Sequence, residues 1–182
     1  MELIIFGNSP FIHKVDVLKL IRLHSTLGFN TFASSFPVDY SFTLNKYIRP
    51  LSDKTMTMVH WEDSTAPEWT IPLKMKPSKE PFLDPGLLPW CCFGVSVAIP
   101  WAINIGFKDI YLVGIDHVET DEVFEHFDLV KDDRGKVMKP EIHQELKEYI
   151  NKCQQFANIY QCNPDVAKDW PLPYKDIKEL YV

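Results

Sequence analysis

Residues Asp109–Ile115 read DIYLVGI, and this stretch decides the fold. The run is continuous, apolar and rich in β-branched and aromatic side chains. A strand of that kind is buried on both faces, as in a parallel sheet covered by helices on either side. Upstream, Cys92–Ile105 is apolar nearly all round and reads as a buried helix that Pro100 must kink or break, ended by Gly106. Downstream stand Asp116 and His117, polar residues at the end of a strand where parallel sheets bind their ligands.

Working outward, Glu2–Phe6 (ELIIF) is a second short apolar strand, closed by Gly7-Asn8-Ser9-Pro10. Helical spacing of Val17, Leu20, Ile21, His24 and Leu27 predicts a helix over Val15–Leu27, with Asp16 as N-cap and Gly28 just past its end. Phe29–Ser34 and Lys54–Val59 read as two further strands, the first leading into Ser34 and Ser35. Pro140–Phe156 carries the helical stripe Ile142, Leu146, Tyr149, Ile150 and Cys153, and Asn158–Cys162 is a last strand before a short helical tail at Lys175–Tyr181. Six of the fourteen prolines fall between Pro67 and Pro89, a density that predicts a long loop or lid over 62–89 without ladder or helix. Residues 119–139 read as an irregular charged insert. Strands alternating with helices give the expected fold: a three-layer, Rossmann-like α/β domain spanning 1–182, with a mostly parallel sheet of about five or more strands and helices on both faces.

Composition narrows the function. A chain of 182 residues buries enough surface to need no disulfide or metal staple. With 46% hydrophobic residues it is not a disordered chain. Nineteen Lys and Arg against twenty-five Asp and Glu, with no basic cluster, argue against nucleic acid as the partner. No apolar run approaches the ~18 residues of a membrane span. Four cysteines without a CxxC pair, and no apolar leader, give the expectation of reduced thiols in a cytoplasmic protein. Trp61, Trp69, Phe82 and Trp90 in the proline-rich region are a candidate homo-oligomer interface.

The first loop is neither GxGxxG nor a P-loop, because Gly7 is its only glycine. Asn8 and Ser9 still offer an amide and a hydroxyl to a ribose or phosphate, and Gly7 lets backbone come close. His143, one turn into the last long helix beside Glu141 and Glu145, has the chemistry of a general base near neutral pH. Asp116, His117, Glu119, Asp121, His126 and Asp128 have donor types suited to a divalent metal, such as Mg²⁺ or Mn²⁺. A solvated acidic loop accounts for the same residues. Neither GxSxG nor HExxH occurs.

Three segments carry a resemblance. Ile4–Pro10 (IIFGNSP) resembles the opening strand and G-N-G-P-S turn of bacterial lipooligosaccharide sialyltransferases, and also that of motility accessory glycosyltransferases and archaeal-type pterin pyrophosphokinases. Gly94–Asp116 (GVSVAIPWAINIGFKDIYLVGID) resembles the stretch in which these proteins open a buried helix with a Ser-Gly turn and close a strand with lGykeIyLiGiD. Ile159–Pro164 (IYQCNP) is similar to their final strand. The resemblance implies a nucleotide-activated donor, CMP-sugar in the sialyltransferases, and transfer to an acceptor hydroxyl. It places Gly7, Asn8, Ser9 and Pro10 at the donor phosphate or ribose, Ser34 or Ser35 near the base or sugar, Phe93-Gly94 at the nucleotide, and Gly114 and Asp116 under the donor. Ser9 replaces the second loop glycine, Phe93 replaces the turn serine, and His117-Val118 stands where the sialyltransferases have aromatic residues. The base would be His126 or His143. Two alternatives accompany this reading: a nucleotide or sugar-phosphate binding protein without catalysis, and a metal-dependent hydrolase or phosphotransferase built on Asp116, His117, His126 and Asp128.

Overall fold

The computed structural model describes residues 1–43, 49–60, 70–84, 86–91, 94–116 and 140–182, with short strands at 124–125 and 131–132. In chain order the strands are β1 (Glu2–Phe6), β2 (Ser25–Phe29), β3 (Tyr40–Thr43), β4 (Met56–His60), β5 (Thr70–Leu73), β6 (Met75–Pro77), β7 (Leu88–Trp90), β8 (Asp109–Val113), β9 (Phe124–Glu125), β10 (Lys131–Asp132) and β11 (Asn158–Gln161). The helices are α1 (Val17–Leu23), α2 (Phe32–Ser35), α3 (Gly94–Asn104) and α4 (Pro140–Cys153).

Seven strands form one sheet in the order β11-β8-β1-β2-β3-β4-β5, and every pair in it is parallel. One face packs α3 and α4 against Leu3, Ile5, Leu27, Phe42, Met58, Ile110 and Leu112. The other packs α1, α2 and the C-terminal turn at Ile177–Tyr181 against Ile4, Phe6, Tyr111 and Val113. The expected three-layer Rossmann-like architecture is therefore the observed one. The sequence of Asp109–Val113 explains its central place: Ile110, Leu112 and Val113 are wholly buried, feeding both cores in alternation.

Several local readings are corrected. The helix expected over Val15–Leu27 stops at Leu23, where His24 leaves helical geometry, and Ser25–Phe29 is a strand. Asp16 does cap the helix, its Oδ1 accepting from Lys19 N at 3.1 Å. Helical spacing lost to the sheet here. Ser25–Gly28 pairs in register with Leu3–Phe6, and Asp39 Oδ2 accepts from Thr26 N at 2.8 Å, fixing an extended chain. Gly28 is accordingly not a helix terminator. A Cβ there would lie 2.7 Å from Cδ1 of Phe32, whose ring stacks on Phe6 at 4.7 Å. The strand expected at Phe29–Ser34 gives way to the turn of α2, and β3 was not anticipated.

The proline-rich stretch is also more ordered than its composition suggests. Residues 70–73 extend the main sheet, and β6 pairs with β7 in a small parallel ladder. Pro72 is tolerated because β5 is an edge strand, where a missing N–H costs no ladder bond. Exposed ion pairs Lys79–Glu145 and Lys152–Glu80, each 2.5 Å, join this stretch to α4. Pro100 lies inside α3 without ending it. Within the charged insert, β9 and β10 pair antiparallel, and the remainder lies outside the described residues. No helix among the described residues is long and apolar enough to cross a membrane.

Candidate functional site

The strand order places the switch point. From β1 the chain steps outward through β2, β3, β4 and β5, then returns to β8 on the other side of β1 and continues to β11. Connections leave β1 and β8 in opposite directions, so the gap beyond their carboxyl ends is the topological switch point, the place where open α/β sheets bind ligands.

Two glycines bring those ends together. Gly7 N donates to Val113 O at 2.8 Å and Ser9 N to Gly114 O at 3.1 Å, so the two loops continue side by side past the ladder. A Cβ on Gly7 would sit 2.2 Å from Gly114 O, which no side chain survives. Gly114 itself has φ +68°, the left-handed region that glycine enters without cost.

Ser9 is buried at this junction and its hydroxyl works twice. It accepts from Phe11 N at 3.1 Å, capping the tight turn at Pro10–Lys14, and it donates to Oδ2 of Asp116. The other carboxyl oxygen, Oδ1 of Asp116, is buried with no hydrogen-bond partner among the described residues, and so is Oδ1 of Asn8. Burial lifts the Asp116 carboxyl above the usual aspartate range, against the opposing pull of the Asn163 amide and the Ser9 hydroxyl. Asp165 pushes the same way as burial, and Lys14, which pairs with Asp165 at 2.9 Å, opposes it.

Buried oxygens are almost always satisfied, and each exception asks for a reason. Here two acceptors, on loops a hundred residues apart in sequence, end at one switch point. Such a place suits the hydroxyls of a sugar or ribose, which donate, better than a bare phosphate, which only accepts. Two oxygens are also a start toward a divalent cation. Among the described residues, however, no group of three or more His, Cys, Asp or Glu is placed to hold a metal.

The same edge carries residues the sequence reading passed over. Asn30, just after β2, has φ +47°, a backbone state that is uncommon outside glycine and recurs at functional sites. Its Oδ1 accepts from the Thr43 hydroxyl at 3.4 Å at the end of β3. Next to it, Oγ1 of Thr31 is buried without a partner among the described residues. The signal in sequence was slight: asparagine is the residue most tolerant of left-handed backbone after glycine.

Ser34 and Ser35 are placed differently from the expectation. Ser34 Oγ donates to Arg49 O at 2.6 Å and Ser35 Oγ to Thr31 O at 3.2 Å, so both hydroxyls bind local backbone on the exposed side of α2. Gly94 opens α3 over the carboxyl ends of β2 and β3, where a Cβ would press on Phe29 and Phe42 at 3.1 Å. Thus the loops of Asn8, Gly94 and Asp116 share one edge of the sheet. His143 is buried in the first turns of α4, and α4 runs back to the start of β11, so its beginning lies toward the same edge. Phe93, His117, Glu119, Asp121, His126 and Asp128 lie outside the described residues. A groove of about 340 Å³ between Ile12, His13, Asp16, Leu18 and Phe36 flanks the Pro10–Lys14 turn and includes neither Asn8 nor Asp116.

Fold and site together define a Rossmann-like α/β protein with a polar switch point. No family model matches the chain, and no curated protein matches it. Among solved structures it is similar to a mammalian sialyltransferase crystallised with Gal-beta-1-3GalNAc-ortho-nitrophenol, at 12% identity and a TM-score of 0.48, over 87% of this chain and 68% of that one. A likeness of that size bears on neither mechanism nor substrate.

Proposed function

We propose that the chain is a glycosyltransferase-like protein that binds a nucleotide-activated sugar of the CMP-sugar type at the β1–β8 switch point and transfers the sugar to an acceptor hydroxyl. The observation that carries the reading is a pair of buried acceptors at that point, Asn8 Oδ1 and Asp116 Oδ1, without a hydrogen-bond partner among the described residues. The sequence resemblance of the Gly7, Gly94 and Asp116 segments supplies the donor class. Asn8 and Asp116 receive donor hydroxyls, while Gly7, Ser9, Pro10 and Gly114 hold the two loops at the spacing the ligand needs.

In the transfer, the acceptor oxygen attacks the anomeric carbon. The bond from that carbon to the phosphate oxygen breaks, and its electron pair leaves with the nucleotide. The acceptor proton passes to a histidine, His143 or His126. N–H groups at the amino end of α3, which begins at Gly94, steady the departing phosphate.

A thermal-shift screen of CMP, UMP, AMP and GMP, with and without Mn²⁺, tests this. CMP at a hundred times its Kd should stabilise by about 2.7 kcal/mol, or roughly 5–10 °C for a chain of this size. A tenfold loss of affinity in Asn8→Ala should cut the stabilisation at the same CMP concentration to about 1.4 kcal/mol or less. Flat melting curves with every nucleotide would refute the reading. A CMP shift without turnover of any CMP-sugar, and with no effect of His143→Ala, would leave a binding protein without catalysis.

A further inference from the structure

Two consecutive backbone carbonyls at the end of β8 are each caught by a buried side-chain donor from the last strand and the tail beyond it. Gln161 Nε2 donates to Ile115 O at 3.0 Å, and Trp170 Nε1 donates to Asp116 O at 2.9 Å. Gln161, the last residue of the edge strand β11, is wholly buried, a costly place for an amide unless both its ends are used. They are used, because its Oε1 accepts from Asn163 N at 3.1 Å. Trp170 is 5% exposed, and Lys147 of α4 lies over its ring at 5.9 Å from the centroid. With Ser9 holding Oδ2 and the Asn163 amide favouring the ionised carboxyl, the Asp116 turn is pinned from the loop after β1, from β11 and the turn beyond it, and from the tail, and Oδ1 has no hydrogen-bond partner among the described residues.

From this clamp we infer that Gln161 and Trp170 are positioning residues that set the direction of the Asp116 carboxylate at the switch point. Neither need touch a ligand. Their work is to stop the Ile115–Asp116 peptides from rotating, so that Oδ1 stays buried and aimed rather than turning out to water. What Oδ1 then meets rests on the donor reading above, but the clamp itself does not.

Two substitutions separate the possibilities. Trp170→Phe keeps a ring and removes the N–H, and Gln161→Met keeps the length and removes the amide. The primary readout is the ¹³C NMR signal of the Asp116 carboxyl followed through pH. Released from the clamp, the carboxyl gains solvent, and its titration midpoint should fall toward that of an ordinary aspartate in both variants. Phe107→Leu, a buried change at the opposite edge of the sheet, should leave the midpoint where it is while lowering Tm. CMP affinity, measured by calorimetry, should fall about tenfold in each clamp variant and stay unchanged in Phe107→Leu.

An Asp116 signal and midpoint identical to wild type in folded Trp170→Phe would overturn the inference, and that variant decides alone if Gln161→Met does not fold. If CMP fails to bind even the wild-type protein while the midpoint still moves, the positioning role stands and the donor reading falls.

Discussion

Gly7→Ala is expected to cost about 3 kcal/mol or more and to abolish nucleotide binding. Overpacking a well-filled site typically costs 1–3 kcal/mol, more when nothing can move aside. Here the added methyl would meet Gly114 O at 2.2 Å and Gly114 C at 2.8 Å, both backbone atoms, and Ile115 Cγ1 at 2.7 Å. The two loops must part, and the bonds Gly7 N to Val113 O and Ser9 N to Gly114 O break with them. Gly86→Ala is the matched control, since among the described residues its new Cβ would find only Asp84 Oδ1, at an ordinary 3.4 Å. Urea denaturation of the two variants should differ by that 3 kcal/mol. Equal midpoints would mean that the close pairing of the two loops is not what holds this edge.

Asp116→Asn should separate stability from function. Burial raises the folded carboxyl pKa above its unfolded value near 3.9. The folded state thus holds its proton more tightly, so the stabilisation from that proton is complete below about pH 4 and is lost as pH rises through the folded pKa. Above that, the wild-type protein carries a buried charge it would be more stable without. Asparagine has no such charge and can still accept from Ser9. Its Tm should match wild type near pH 4 and exceed it increasingly toward pH 7. Affinity for CMP should move the other way, falling about tenfold to a hundredfold, the worth of a hydrogen bond to a charged acceptor. A variant less stable than wild type at pH 7, or one that binds CMP as well, would show that the carboxylate is structural. A residue retained at a cost in stability is the mark of a working site.

How much of this was legible in the sequence depends on where each signal lives. Asp109–Val113 and Glu2–Phe6 were plain, because a strand covered on both faces must be apolar throughout. The polar ends of those strands, Asn8 and Asp116, followed from the fold rule alone. Ser25–Phe29 was hidden because Leu27 continues the helical spacing of Val17 and Leu20, and only pairing with β1 turns it into a strand. Residues Tyr40–Thr43 gave too short a pattern to read, although Phe42 is central to the core. The proline-rich strands were unreadable for a different reason: whether Pro72 blocks a ladder depends on which side of the strand is bonded. Asn30 gave only the slight signal of its residue type and the Gln161–Trp170 clamp gave none, since backbone strain and a contact spanning 54 residues appear only in three dimensions.

Isothermal titration of CMP into the wild-type protein, Asn8→Ala and Asp116→Ala puts the central claim to its most direct test. Binding at the switch point predicts a saturable one-to-one isotherm for the wild type and at least tenfold weaker binding for each variant, both still folded by circular dichroism. Equal affinity in all three, or heat no greater than dilution in the wild type, would contradict it.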